Sequence, residues 1–144
     1  MIVPDINLLI YAYDSSSPQH QKAATWWKHC MLGSEEIGLA TVVIFGFVRL
    51  STHPKVFQTP LTIAEASARV ETWLKQPHVR VIEPSPQYVS DVLGLLNQLG
   101  TAVNLTTDAQ IASLAKQEKA ALHSNDTDFL RFPGLNYHNP LNPF

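Results

Sequence analysis

The apolar positions of this 144-residue chain fall into short runs separated by longer amphipathic stretches. Met1-Ile2-Val3-Pro4 is apolar and stops at Asp5. That predicts a short buried strand in which Pro4 limits the ladder hydrogen bonds. Asn7 to Tyr13 is continuously apolar, as in a helix packed on a sheet. Ser15-Ser16-Ser17-Pro18 then opens a new element. Serine at N-cap, proline at N1 and Gly33 past the end frame a helix over His20 to Leu32. Its apolar stripe is Ala23, Ala24, Trp27, Cys30 and Met31. Ile37 to Ala40 reads as a second strand, and Thr41 as the cap of a helix that Pro54 ends. Thr62 and Glu65 form a capping box before a helix with Ile63, Ala66, Val70, Trp73 and Leu74 inward.

The second half repeats this rhythm. Val79 to Ile82 alternates and is β-branched, so it reads as a strand. Ser85-Pro86 opens a helix with Val89, Val92, Leu93, Leu96 and Leu99 inward and Gly100 as its stop. Thr107 and Gln110 suggest a second capping box, on a helix burying Ile111, Ala112, Leu114 and Ala115. Ala121 to Ser124 is a predicted strand, Asn125 to Phe129 a polar turn into a short helix, and Leu135 to His138 a last strand before a Pro- and Asn-rich tail. Strands alternating with helices predict α/β: a parallel sheet covered by helices on both faces. No repeat or linker divides the chain, so residues 1–144 read as one domain.

Composition narrows the function. Charged residues are only 15% and the net charge is −2. Any nucleic-acid contact must therefore be local and not driven by overall charge. One cysteine, Cys30, excludes a disulfide framework and a cysteine zinc cluster. No apolar run approaches the ~18 residues of a membrane span, and the first residues lack a basic signal-peptide region. A cytoplasmic protein is expected. No HExxH, GxSxG or phosphate-binding glycine loop is present.

Ligands of open α/β sheets gather beyond the carboxyl ends of the strands. Those positions hold aspartates. Asp5 follows the first strand, Asp108 lies in the first turn of a helix, and Asp126 and Asp128 follow the Ala121–Ser124 strand. Singly, each reads as an ordinary cap or Asx turn. Together, carboxylates from three segments repel one another unless a cation joins them. Oxygen donors alone suit a hard ion such as Mg²⁺, which can activate water for phosphodiester hydrolysis.

The segments DINLLIYAYD, GFVRLSTHPKVF, LTTDAQIASLA and HSNDTDFLRFPGL, in that order, resemble a PIN domain. In particular they resemble the toxin ribonucleases of VapBC-type toxin–antitoxin systems. The resemblance implies a three-layer α/β/α sandwich with a doubly wound, mostly parallel sheet, and a Mg²⁺- or Mn²⁺-dependent endoribonuclease acting on structured RNA. It also implies a homodimer and a small cognate antitoxin. By that resemblance Asp5, Asp108 and Asp126 are catalytic and hold the metal, with Asp128 as a further ligand or supporting acid. Asn7 and Ser124 match supporting polar positions, and Arg49 a basic position of the middle helix. Lys55 and Arg131 flank the site and are candidates for phosphate contacts, and His53 is a candidate for the substrate channel. One position departs from the pattern: Gly46 stands where many members carry a glutamate. That departure keeps a second reading open, a PIN-like module that binds RNA or antitoxin with weak or no catalysis. A phosphoacceptor receiver domain fits worse, because no lysine follows the late strand.

Overall fold

The computed structural model describes residues 1–142, so Pro143 and Phe144 of the expected tail lie outside the described residues. Five short strands form one all-parallel sheet: β1 (Ile2–Pro4), β2 (Ile37–Leu39), β3 (Val79–Val81), β4 (Ala121–His123) and β5 (Tyr137–His138). Six helices connect them: α1 (Ile6–Tyr13), α2 (His20–Leu32), α3 (Thr41–Ser51), α4 (Ile63–Leu74), α5 (Tyr88–Leu99) and α6 (Thr106–Gln117). A 3-10 helix, Thr127–Arg131, joins β4 to β5.

The strand order is β3-β2-β1-β4-β5. The chain moves outward from β1 through β2 to β3, then returns to the other side of β1. Right-handed crossovers therefore put α1 to α4 on one face and α5 and α6 on the other. The direction reverses between β1 and β4, and their carboxyl ends flank the crevice where ligands bind in such sheets.

Register decides which side chains meet there. Val3 pairs with Leu122 and Pro4 with His123, and the Asp5 N–H donates to the His123 carbonyl at 2.9 Å. Side chains alternate along a strand, so Asp5 and Ser124 come side by side on the α6 face. The Ile2 N–H donates to Glu36 on the β2 side, while that of Asp5 faces β4. By the same alternation, the N–H that Pro4 lacks belongs to the β2 side. The β1–β4 ladder that aligns the site is untouched.

The face carrying α1 to α4 is closed by aromatic packing. Trp73 lies 4.8 Å from Phe47 and 5.4 Å from Trp27 between ring centroids, and its indole N–H donates to the Tyr13 hydroxyl at 2.8 Å. Cutting such a buried ring to alanine costs ~3–5 kcal/mol.

Several local expectations need correction. Helix α2 spans His20–Leu32 as expected, but Ser17 is not its cap. The Ser17 hydroxyl accepts the Gln19 N–H in a preceding turn, and Gln19 opens the helix without a side-chain bond. Ala40, not Thr41, precedes α3. Helix α6 starts at Thr106 behind the buried Leu105, so Thr107 and Gln110 form no capping box. The Thr62–Glu65 box is present in both directions, at 3.1 and 3.0 Å. Helix α5 buries Val92 and Leu95, whereas Val89 and Leu93 are 68% and 53% exposed. It packs on α6 along one narrow stripe, and the next apolar positions turn to solvent. Ile63 is also exposed, because it sits at the first position of α4, ahead of the packed turns. Ile82 and Ser124 lie just beyond their strands, and β5 keeps only Tyr137 and His138 of the predicted run.

Candidate metal centre

The site starts from Asp5, the cap of α1 and only 6% exposed. Its Oδ1 accepts the Ile6 N–H at 2.7 Å, and its Oδ2 accepts the Ser124 hydroxyl at 2.7 Å. The Ser124 oxygen in turn accepts the Asp126 N–H at 2.9 Å. Asp126 caps the 3-10 helix, its Oδ1 accepting the Asp128 N–H at 2.9 Å. One hydrogen-bonded series thus ties the end of β1 to the turn after β4. Asp108 enters from the first turn of α6.

Asp108, Asp126 and Asp128 each offer a carboxylate oxygen, and these oxygens lie within 4.8 Å of one another. Asp5 stands behind this trio, with both oxygens already engaged. No lysine or arginine pairs with any of the four acids among the described residues. The cost appears as proton affinity. Burial, reinforced by Asp5, Asp126 and Asp128, pushes Asp108 up to about 7. Burial pushes Asp5 up to about 6, against the Ser124 and Ile6 hydrogen bonds, with Asp126 adding to the rise. Each proton removed from the cluster makes the next harder to remove.

These residues fit a hard divalent ion. The donors are all oxygens, they converge from three segments, and no ion pair offsets them among the described residues. The buried Oδ1 of Asn7, in the first turn of α1, has no protein hydrogen-bond partner, so a further oxygen donor is unspent at this edge.

Gly46 is buried in α3. A Cβ there would lie 2.6 Å from Cδ1 and 3.1 Å from Cγ1 of Ile6. The Ile6 side chain therefore fills the space that a residue-46 side chain would enter.

The remaining expected residues are not tied to this cluster. Arg49 is exposed in the last turn of α3, and Arg131 is exposed at the end of the 3-10 helix. His53 is half-buried, and its Nδ1 accepts the Lys55 N–H at 3.0 Å, which gives this pair a turn-forming role. None of the four bonds to the carboxylates among the described residues. Sequence reasoning passed over Tyr137. Its hydroxyl is buried without a protein partner, and burial, with Asp126 and Asp5 adding, raises its pKa. A lone ring with a polar tip, in the strand after an acidic turn, was the available signal.

The family model for the PIN domain matches residues 2–135. The chain belongs to the PIN-domain family. It is 45% identical over 141 residues to Ribonuclease VapC33 of Mycobacterium tuberculosis, covering 98% of this chain and 99% of that protein. It is 33% identical over 140 residues to Ribonuclease VapC37 of the same organism, covering 97% of each. Among solved structures, VapBC2 from Rickettsia felis, bound to a DNA fragment from its promoter, aligns with a TM-score of 0.69 at 21% identity. That alignment covers 96% of this chain and 98% of the other. The PIN fold is shared, and its acidic crevice lies at the β1–β4 switch. Among the described residues, no helix of this PIN domain is long and apolar enough to cross a membrane.

Proposed function

We propose that this chain, as one domain over residues 1–144, is a metal-dependent endoribonuclease and the toxin of a type II toxin–antitoxin pair. It hydrolyses phosphodiester bonds in structured RNA in the cytoplasm. The observation that carries this reading is the convergence of Asp108, Asp126 and Asp128, with Asp5 behind them and no ion pair to any of the four among the described residues. The full-length similarity to proteins named ribonucleases supports it.

Asp108, Asp126 and Asp128 would hold Mg²⁺ or Mn²⁺, with Asp5 and Asn7 completing the oxygen-rich edge. When bound, the ion activates water and stabilises charge that builds on the phosphate. The chain supplies the frame. Ser124 locks Asp5 against the Asp126 turn, and the Asp128 N–H fixes the Asp126 carboxylate. Burial, reinforced by the neighbouring acids, raises the Asp108 pKa to about 7, and a bound cation would favour its charged form. Arg49, Lys55 and Arg131 provide phosphate contacts around the crevice, and His53 borders the channel. These few local contacts suit unpaired RNA loops that can be splayed into an acidic cleft.

The partners are RNA, a small antitoxin protein and a second copy of the chain. The exposed Val89 and Leu93 of α5 give the second copy an apolar surface to cover. The contact between Ile6 and the Gly46 position favours one alternative, a PIN module that binds without cutting, because it closes the space a further acid would use. Incubating the protein with host RNA, with and without Mn²⁺, beside Asp108→Asn separates the two. Discrete Mn²⁺-dependent fragments absent from the variant support the nuclease. Equal RNA binding by both proteins, with no cleavage, supports the binding module.

A further inference from the structure

We propose that Tyr137 is a positioning residue of the acidic centre: its hydroxyl donates to the free carboxylate oxygen of Asp126 when that carboxylate turns onto a bound divalent cation. This rests on the reading of the cluster as a metal centre.

The starting observation is a buried hydroxyl that no protein group satisfies. Buried tyrosine hydroxyls usually find a partner, and leaving one without costs ~1–3 kcal/mol. Its place in the fold points to the partner. Tyr137 pairs with Leu122 across the β4–β5 ladder, so its side chain rises on the face that carries Leu122, Ser124 and Asp5. Its ring stacks on Phe129, centroids 6.3 Å apart and planes 19° apart. Phe129 belongs to the 3-10 helix that Asp126 caps and that carries Asp128. The tyrosine ring thus supports the turn that presents two of the acids.

The hydrogen-bond inventory leaves room for the contact. Oδ1 of Asp126 accepts the Asp128 N–H, while Oδ2 receives no donor from the described residues. A phenol is protonated at neutral pH, and burial, with Asp126 and Asp5 adding, raises its pKa further, so it is a donor. Carboxylates that ligate metals are themselves commonly held by hydrogen bonds, and removing such a partner costs 10–100-fold in affinity or activity.

The test is Tyr137→Phe, which keeps the ring and deletes the hydroxyl. Two quantities are read: melting temperature in EDTA, and Mn²⁺ affinity by electron paramagnetic resonance of free Mn²⁺. The expected result is a melting temperature in EDTA that is unchanged or higher, because an unsatisfied group is gone. The Mn²⁺ dissociation constant should rise by about 10-fold. In the wild type, Mn²⁺ should also produce a tyrosine ultraviolet difference spectrum that vanishes in the variant. Unchanged Mn²⁺ affinity in a folded variant overturns the role of Tyr137 and leaves the metal centre standing. A wild type without any tyrosine difference spectrum on saturation with Mn²⁺ does the same. A wild type that binds no Mn²⁺ overturns the metal centre and this role together.

Discussion

The two ends of the sheet treat negative charge in opposite ways. At the amino end, acids are matched. Arg80 on β3 bonds both Glu36, just before β2, and Glu118, just after α6, while the N-terminal ammonium lies 3.8 Å from Glu35. At the carboxyl end, Asp5, Asp108, Asp126 and Asp128 gather with no ion pair among the described residues. The matched end needs nothing further. The unmatched end buries and crowds its acids, and burial, with mutual repulsion adding, raises the carboxyl pKa values of Asp5 and Asp108. Acidic residues alone therefore say little about function. Acidic residues left uncompensated, in the crevice where the strand order reverses, point to an external cation.

The largest way to break this contrast is to remove a converging acid. Asp108→Asn should lower Mn²⁺-dependent RNA cleavage by more than about 100-fold, since even outer partners of a metal site cost 10–100-fold. In EDTA the same variant should melt at a higher temperature than wild type, because one repelling charge is gone. Cleavage within a few fold of wild type would erase the distinction between the two ends.

The second prediction concerns pH in the metal-free protein. Burial raises the Asp5 pKa to about 6 from 3.8 for a free carboxyl, so the folded chain binds more protons between those values. Stability from this group is full below pH ~4 and is lost as the pH rises through about 6. Asp108 extends the loss toward pH 7. Asp5 contributes on the order of 2–3 kcal/mol. His123 works against this trend. Burial, with His138 and the N-terminal ammonium adding, lowers it to about 4, so it favours folding as the pH rises through 4 to 6.5. Denaturant melts in EDTA of wild type and Asp5→Asn isolate the carboxylate. The difference between them should change across pH 4–7 and flatten when Mn²⁺ is added.

The third sharpens the contrast by adding an acid to the unmatched end. Gly46→Glu should destabilise the fold by ~1–3 kcal/mol through collision with Ile6. Combining it with Ile6→Ala should recover part of that loss, a coupling readable in a double-mutant cycle. If the cycle shows no coupling by denaturant melts, residues 6 and 46 do not share that space. The smallest effect belongs to the matched end. Arg80→Ala should cost only ~0.2–1 kcal/mol, as for other exposed ion pairs, and should leave cleavage unchanged.

Much of this was legible before the structure, for identifiable reasons. The acids lie immediately after apolar runs or at a helix start, and strand polarity then carries them to one edge. The Asp5–Ser124 bond follows from the β1–β4 register, which no local pattern encodes. Hydrophobic periodicity overstated the inner face of α5, because it marks apolar positions without saying how many neighbours cover them. Val89 and Leu93 are left mostly exposed. The Thr107–Gln110 pair imitated a cap, yet buried Leu105 sets the helix start two residues earlier. Tyr137 was missed because its place under the acidic turn depends on the pairing of β5 with β4.

The most direct measurement is calorimetric titration of Mn²⁺ into metal-free wild type, Asp108→Asn and Arg80→Ala at pH 7.5. An uncompensated, cation-binding carboxyl edge gives saturable binding in wild type and Arg80→Ala that is abolished or weakened by more than about 10-fold in Asp108→Asn. Equal binding in wild type and Asp108→Asn, or no saturable binding in wild type, would contradict it.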